Sequence, residues 1–347
     1  MAPKRATITS IAKHLNLDVS TVSRVLNGLA KKYRISEKTV KLVTNTANEL
    51  NYTPNKIAKS LRLKKTFTIG LIVPDISNPW FAEIALRIEK ESRKVGYNVF
   101  LCNSSDDINI EKESMNLLAE WKVDGVIMVP IGLEYDHLLD FYNNHIPLVL
   151  IDRFFENVEI PYVSTNDYSG AFDAIEHLID NGHKNIACIQ GVVGTSSNTQ
   201  RVEGYENALK KHNIPLDENF ILGDDFNFEN GYAQTKQIIK NLNKTNITAI
   251  FSTSNQITLG ALKAMKEENI NIPDDISIIS FDEHNYSDLL YIPISTVTHF
   301  DDNLGKKAIE LLFNQIDNKT STQENILLPT HLTKRESVKN RLAKVTK

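Results

Sequence analysis

The 347-residue sequence has only two cysteines, Cys102 and Cys188, each inside a strand-like run. That excludes a disulfide-stapled scaffold and predicts reduced, buried thiols. No Cys/His cluster has metal-ligand spacing, and neither a metal nor another cofactor is expected. No apolar run approaches the ~18–20 residues of a membrane span, and no hydrophobic signal region stands at the N-terminus. The expectation is therefore a cytoplasmic protein without membrane contact. Enzyme signatures are missing as well. There is no Walker-type loop, no Gly-x-Gly-x-x-Gly and no Gly-x-Ser-x-Gly elbow, and Gly191-Val192-Val193-Gly194 is better explained as a turn than as a phosphate loop. The doublets Asp106-Asp107, Asp224-Asp225, Asp274-Asp275 and Asp301-Asp302 read as turns and helix caps, so no catalytic residue is assigned.

What is present begins with a division of charge. The net charge of −4 is an average. Residues 1–65 carry 14 Lys/Arg against Asp18, Glu37 and Glu49, a balance of +11, and the rest of the chain holds −15. A basic head on an acidic body suits a polyanion-binding module joined to something that avoids polyanions. The plain alternative, a solvated face, loses ground because the basic segment coincides with a motif.

That motif is Asp18-Val19-Ser20-Thr21-Val22-Ser23-Arg24-Val25-Leu26-Asn27. Asp18 is a good helix N-cap. Val22, Val25 and Leu26 make one narrow apolar stripe. The outward residues Ser20, Thr21, Ser23, Arg24 and Asn27 are mostly small or hydrogen-bonding, which fits close approach to another surface. Upstream, Thr9 reads as the cap of a first helix with Ile8, Ile11, Ala12 and Leu15 at helical spacing. Asn16 and Leu17 leave only a tight turn between the two. Such a pair forms a helix-turn-helix, whose second helix enters the DNA major groove, unless it is an ordinary piece of a small bundle. Arg24 can pair bidentately with a guanine edge, and Val19 and Ser20 are short enough to touch base edges or a thymine methyl.

Three segments together resemble the lac repressor family of bacterial transcription regulators: Thr7–Ala12, Thr21–Asn27 and Glu49–Asn55. The resemblance continues through Ile57–Leu61 and Ile69–Pro74 and runs over essentially the whole chain. It implies a head over 1–53, a hinge helix and linker over 54–66, and a ligand-binding, dimerising body over 67–347. The DNA-contacting set is then Thr9, Val19, Ser20, Thr21, Ser23, Arg24, Asn27, Lys31, Lys32, Arg34, Asn55, Ala58, Leu61 and Arg62. The loop Gly28–Ile35 is about three residues longer than is usual for the family, and Lys31, Lys32 and Arg34 within it can add phosphate contacts. Ser36 caps a third helix, whose apolar face is Val40, Val43, Ala47 and Leu50.

Thr53 and Pro54 open a fourth helical stretch, with Pro54 at the first helical position. Residues 55–62 are too few for a stable isolated helix. By resemblance they fold on the operator, pair with a twin across the dimer axis and wedge Leu61 into the minor groove. The bland reading is a tether with three cations.

From Thr66 onward strand-like and helix-like runs alternate. Strands are expected at 68–73, 98–102, 125–129, 148–151, 185–189, 249–252 and 276–280. Helical patterns include 81–95, 169–180, 201–212, 231–242 and 259–268. Near-continuous Val/Ile/Leu strands between helices predict α/β architecture with two parallel sheets, each covered on both faces. By resemblance this is the two-lobed fold of periplasmic sugar-binding proteins, with crossings near Thr165, Thr298 and Leu328. Lobe 1 would take about 67–165 and 299–327, and lobe 2 about 166–298 and 328–347.

Ligands of open α/β sheets bind at the carboxyl ends of strands, here the cleft between lobes. Trp80 and Phe81 can stack on a ring and Asn78 can bond a hydroxyl. Asp152-Arg153 and Asp282 end strands, Arg201 opens a helix, and Phe226 follows Asp225. The resemblance makes these effector contacts, with Asn255 where the family often has an acid and His299 at the last crossing. Arg153 and Arg201 against Asp152 and Asp282 give two charges of each sign, which suits the hydroxyls of a neutral sugar. A purine would also stack on Trp80 and Phe226, so a nucleobase stays open, as does a phosphosugar. An enzyme finds no motif in support, and a transport-type binding protein would need an export signal. The expected protein is a homodimeric, operator-binding regulator, most simply a repressor, set by a small ligand.

Overall fold

The computed structural model describes residues 6–53, 60, 63–144, 146–283, 287–299, 303–317 and 324–342, with His299 described in its backbone alone. It divides into two compact units, Met1–Thr66 and Phe67–Lys347.

The first unit is built on α1 (Ile8–Leu15), α2 (Val19–Leu26) and α3 (Glu37–Glu49). Their shared core is Ile11, Ala12, Val22, Val25, Val43 and Ala47, with Ile8, Leu15, Leu26 and Val40 packed around it. Helix α1 is capped by Thr7, not Thr9. The Thr7 hydroxyl accepts from the Ser10 amide at 3.1 Å and the Ser10 hydroxyl accepts from the Thr7 amide at 2.8 Å. This reciprocal pair satisfies two N–H groups at once, an arrangement Thr9 cannot make from inside the first turn. Asn16 takes the left-handed region at φ 49°, which lets the Leu17 amide turn back to the Ala12 carbonyl at 3.0 Å. Asp18 caps α2 through the Ser20 amide at 2.7 Å, and Ser36 caps α3. Leu50 does not complete the α3 face. It is the C-cap and exposed, and Tyr52 packs on the core in its place, its amide bonded to the Ala47 carbonyl at 2.8 Å.

The second unit holds two six-stranded sheets. Sheet one uses β1 (Thr68–Val73), β2 (Asn98–Asn103), β3 (Gly125–Met128), β4 (Leu148–Ile151), β5 (Tyr162–Thr165) and β11 (Ile326–Leu328), in the order β11-β5-β4-β3-β1-β2. Sheet two uses β6 (Ile186–Ile189), β7 (Ile221–Leu222), β8 (Ala249–Ser252), β9 (Ser277–Phe281), β10 (Ser295–His299) and β12 (Thr330–Thr333), in the order β12-β10-β9-β8-β6-β7. Every pairing is parallel except that of β12 with β10. The chain passes between sheets after Thr165, after His299 and at Pro329.

Around the first sheet lie α4 (Pro79–Lys94), α5 (Ile108–Glu120), α6 (Asp136–Asn143) and α12 (Asn303–Ile316). Around the second lie α7 (Asp167–Asp180), α8 (Ser196–Lys211), α9 (Phe228–Lys240), α10 (Leu242–Thr245) and α11 (Asn255–Glu267). Four apolar clusters, two per sheet, fill the spaces between strands and helices. Each fully buried Leu or Ile there contributes roughly 1.5–3 kcal/mol by leaving water. Cys102 and Cys188 are free and buried in these cores. Among the described residues no helix is long and apolar enough to cross a membrane, and no group of His, Cys, Asp and Glu is arranged to hold a metal ion.

Two departures from the sequence reading share one cause. The crossing strands β5, β10, β11 and β12 went unread because residues such as Ser295, Thr296 and Thr298 break the apolar run expected of a strand. All five expected helices begin earlier than their apolar periodicity, because their first turns are set by N-cap positions at Asn78, Asn166, Thr195, Asn227 and Ser254, all but Thr195 with a side-chain cap bond. Arg201 therefore lies in the second turn of α8 and does not open it.

Candidate nucleic-acid interface and effector cleft

In the head, α2 turns Val22 and Val25 inward and leaves Val19 and Ser20 exposed, with Thr21, Ser23, Arg24 and Asn27 half-buried. Thr9 is exposed on α1. Asn27 is partly used by the fold: its side-chain amide donates to the Ser23 carbonyl at 2.6 Å. Hydrogen bonds from Ser20 hold the Asp18 carboxyl below the usual carboxylate range. Lys31, Lys32 and Arg34 are exposed in the loop after α2. Asn55, Ala58, Leu61 and Arg62 lie outside the described residues.

The cleft is built from strand ends. Asp152 directly follows β4 and Asp282 directly follows β9, the third strand in each sheet order as written above. Both are in the left-handed region, at φ 66° and 62°, and both are buried. That backbone is uncommon for a residue with a Cβ and is best tolerated by Asn and Asp. Two lobes of matching topology thus deliver an aspartate from the same place.

Each carboxylate has partners. The Trp80 indole N–H donates to Asp152 at 2.8 Å. Trp80 is fixed by its helix start, where Asn78 caps α4 by accepting from the Trp80 amide at 3.1 Å. Burial pushes the Asp152 carboxyl up, against the pull of Arg153 and Arg201. Asp282 lies 3.5 Å from the Arg201 guanidinium. Arg201 is only 3% exposed, and its other contacts are to protein: Nε donates to Asp167 at 2.8 Å and Nη1 to the Thr253 carbonyl at 2.6 Å. The Phe281 ring lies 3.9 Å from its guanidinium carbon. Burial opposes the charge of Arg201, yet the carboxylates of Asp167, Asp282 and Asp152 hold its pKa above the ordinary value.

Asp167 was missed by the sequence reading, and it corrects the charge count. It is 2% exposed, accepts from the Thr165 hydroxyl, and makes three buried carboxylates against the two guanidiniums of Arg153 and Arg201. The usable signal was its position, an acid two residues past the first crossing.

Arg153 is less satisfied. Its Nε makes no hydrogen bond, and the nearest carboxylate oxygens of Asp106 and Asp152 stand at 3.9 and 4.0 Å. The Phe226 ring faces it, 5.2 Å from the guanidinium carbon. Phe226 is seated on Gly191, where an added Cβ would stand 2.1 Å from the ring and force it to shift. Across the lobes, the Asn255 side-chain amide donates to Asn78 at 3.1 Å and the Phe154 amide donates to the Ser196 hydroxyl at 3.0 Å. Phe81 packs into the first-sheet core. His299 ends β10 opposite Thr330. The structure thus gathers Asn78, Trp80, Asp152, Arg153, Arg201, Phe226, Asn255 and Asp282 through these contacts. Together they offer an indole, a phenyl ring, amides, carboxylates and one under-bonded guanidinium.

Comparison with known proteins agrees with both halves. Residues 7–55 match the family described as bacterial regulatory proteins, lacI family, and residues 66–336 match periplasmic binding proteins and sugar binding domain of LacI family. The chain is 34% identical over 337 residues to the HTH-type transcriptional repressor PurR of Actinobacillus pleuropneumoniae serotype 3, covering 96% of this chain and 99% of that one. It is also 34% identical over 333 residues to the ribose operon repressor of Halalkalibacterium halodurans, covering 96% and 97%. In fold it is similar to the lac repressor dimer solved with operator and the anti-inducer ONPF, with a TM-score of 0.85 at 24% identity over 97% of this chain and 100% of that one. With a helix-turn-helix head and a two-sheet body each matched along its length, the chain belongs to the lacI family of bacterial regulatory proteins.

Proposed function

We propose that the protein is a transcriptional repressor that binds a pseudo-palindromic operator as a homodimer and is controlled by a neutral sugar or sugar derivative in the cleft. Asp18 to Asn27 form the reading helix, with Arg24 donating to a guanine edge and Val19 and Ser20 against neighbouring bases. Lys31, Lys32 and Arg34 contact phosphates, and the basic balance of residues 1–65 supports that reading. Asn55, Ala58, Leu61 and Arg62 belong to the proposed hinge contact.

The observation that carries the choice of ligand is the engagement of Arg201. A phosphate or carboxylate ligand needs surplus cation, and the best-placed guanidinium is already bonded to Asp167 and the Thr253 carbonyl and paired with Asp282. Sugar hydroxyls suit an acid-rich site: they donate to Asp152 and Asp282 and accept from Arg153. Trp80 and Phe226 would cover the flat faces of the ring. A nucleobase is the second reading, favoured by the Asn78–Asn255 amide pair, since amides can bond base edges as well as hydroxyls. The relatives named for ribose and PurR are equally identical to this chain and do not choose between the two.

A ligand controls the operator only through a difference in affinity for two lobe arrangements. Isothermal titration of the full-length protein against neutral sugars, phosphosugars, nucleosides and purine bases tests the proposal. Saturable heat from neutral sugars, lost in Asp282→Ala, is the expected result. Binding confined to phosphosugars or purines overturns the sugar assignment.

A further inference from the structure

Arg24 does not stand alone on its helix. Its guanidinium carbon lies 4.1 Å from the centroid of the Tyr33 ring, inside cation–π range. The ring comes from the long loop after α2, and the loop is held in shape. The Leu29 amide donates to the Arg24 carbonyl at 2.8 Å, the Tyr33 amide to the Leu29 carbonyl at 3.2 Å and the Ile35 amide to the Ala30 carbonyl at 3.0 Å. Ala30 and Ile35 pack on the core of the head, so the loop is anchored on both sides of Tyr33. Tyr33 itself is 45% exposed, which leaves it little structural work for that core.

Stacking occupies the flat face of a guanidinium and leaves its donors free, because all five N–H groups lie in the plane and point outward from its edges. An arginine restrained this way has already given up rotamer freedom that an unsupported one surrenders on binding. We propose that Tyr33 is a positioning residue for Arg24: the loop presents the ring, and the ring holds the guanidinium edge-on to the groove and sharpens base choice. This rests on the reading of Arg24 as the base-contacting arginine. A phenol that merely donated to a phosphate would strengthen all sequences alike.

The test uses the full-length protein and a palindromic duplex that it selects from a randomised pool, together with every single-base change in one half-site. Arg24→Ala should lose roughly 5- to 150-fold of discrimination at one position. Tyr33→Leu and Tyr33→Gln should lose roughly 3- to 10-fold at that same position, with affinity for random duplex unchanged. Tyr33→Phe, which keeps the ring, should restore the wild-type profile. The proposal is overturned if Tyr33→Leu and Tyr33→Gln keep the wild-type profile, or weaken every sequence equally, or if Tyr33→Phe is as poor as Tyr33→Leu. If Arg24→Ala itself keeps full discrimination, the base-reading assignment falls and the role of Tyr33 falls with it. Loss at Arg24 with none at Tyr33 removes the Tyr33 role alone.

Discussion

Arg24 in the head and Arg201 in the cleft are both proposed to face a ligand, yet their surroundings are opposite. Arg24 is half-buried, lies against one aromatic ring and sits on a helix whose core residues face the other way. Arg201 is almost fully enclosed, with Asp167, Asp282 and the Thr253 carbonyl around it. The difference follows from the partner each would meet. A polyanion brings its own dense charge and can meet solvated cations, so the head restrains Arg24 with a single ring and leaves Lys31, Lys32 and Arg34 exposed. A small neutral ligand brings only hydroxyls, so the cleft must hold its charges dry and already paired. Truncation of Arg24 should therefore alter binding with little effect on stability, whereas truncation of Arg201 should alter both.

The largest expected effect belongs to the head. If 6–10 phosphates are neutralised per dimer, operator affinity should fall on the order of a thousand-fold or more between 50 and 200 mM salt. Sugar affinity should barely move over the same range. Fluorescence anisotropy on labelled duplex, beside calorimetry of the sugar, measures the contrast; comparable salt slopes would erase it.

Next comes truncation of each arginine. Arg201→Ala leaves Asp167 buried and uncompensated, and the body should lose about 3–5 kcal/mol in denaturant unfolding. Arg24→Ala should stay within about 0.5 kcal/mol of wild type, as surface changes do, while specific operator binding weakens by ~1–3 kcal/mol. Trp80 and Trp121 both lie in the body, so tryptophan fluorescence follows the body's transition, and far-ultraviolet circular dichroism follows the helical head's. Equal stability losses in the two variants would show that the contrast in burial has no energetic weight.

A smaller effect sharpens the same division by pH. His183 is fully buried in the body, with Nδ1 2.8 Å from the Thr248 hydroxyl and Nε2 3.0 Å from the Lys339 carbonyl. Both bonds are satisfied by a neutral ring, and burial pushes its pKa down to about 4. A depressed folded-state pKa means stability is fully present above the unfolded value of 6.5 and lost as pH falls towards 4, by on the order of 3 kcal/mol. His183→Asn should flatten that part of the profile. An equally steep profile in the variant would place the acid sensitivity elsewhere.

Much of the body was legible because buried parallel strands are written in Val, Ile and Leu, as in Thr68–Val73, Leu148–Ile151 and Ala249–Ser252. The crossing strands were not, because a segment such as Ser295–His299 carries hydroxyls that donate to carbonyls far along the chain: Ser295 to Arg335 and Thr298 to His331. The cleft divides in the same way. Residues at strand ends, such as Asp152 and Asp282, could be placed from the strands themselves. Asp167 could not, because beside Asn166 it reads as part of a helix cap, and its pairing with Arg201 joins residues 34 positions apart. Tyr33 was hidden for a similar reason, since only the folded loop brings its ring to Arg24.

Control of the operator by a ligand in the cleft requires communication between the two regions. The direct measurement is the affinity of the full-length protein for its selected operator duplex, with and without saturating neutral sugar, in wild type and in Asp282→Ala. A several-fold or larger change in the wild type, absent in the variant, is the predicted result. A sugar that binds the cleft in calorimetry yet leaves operator affinity unchanged would contradict it.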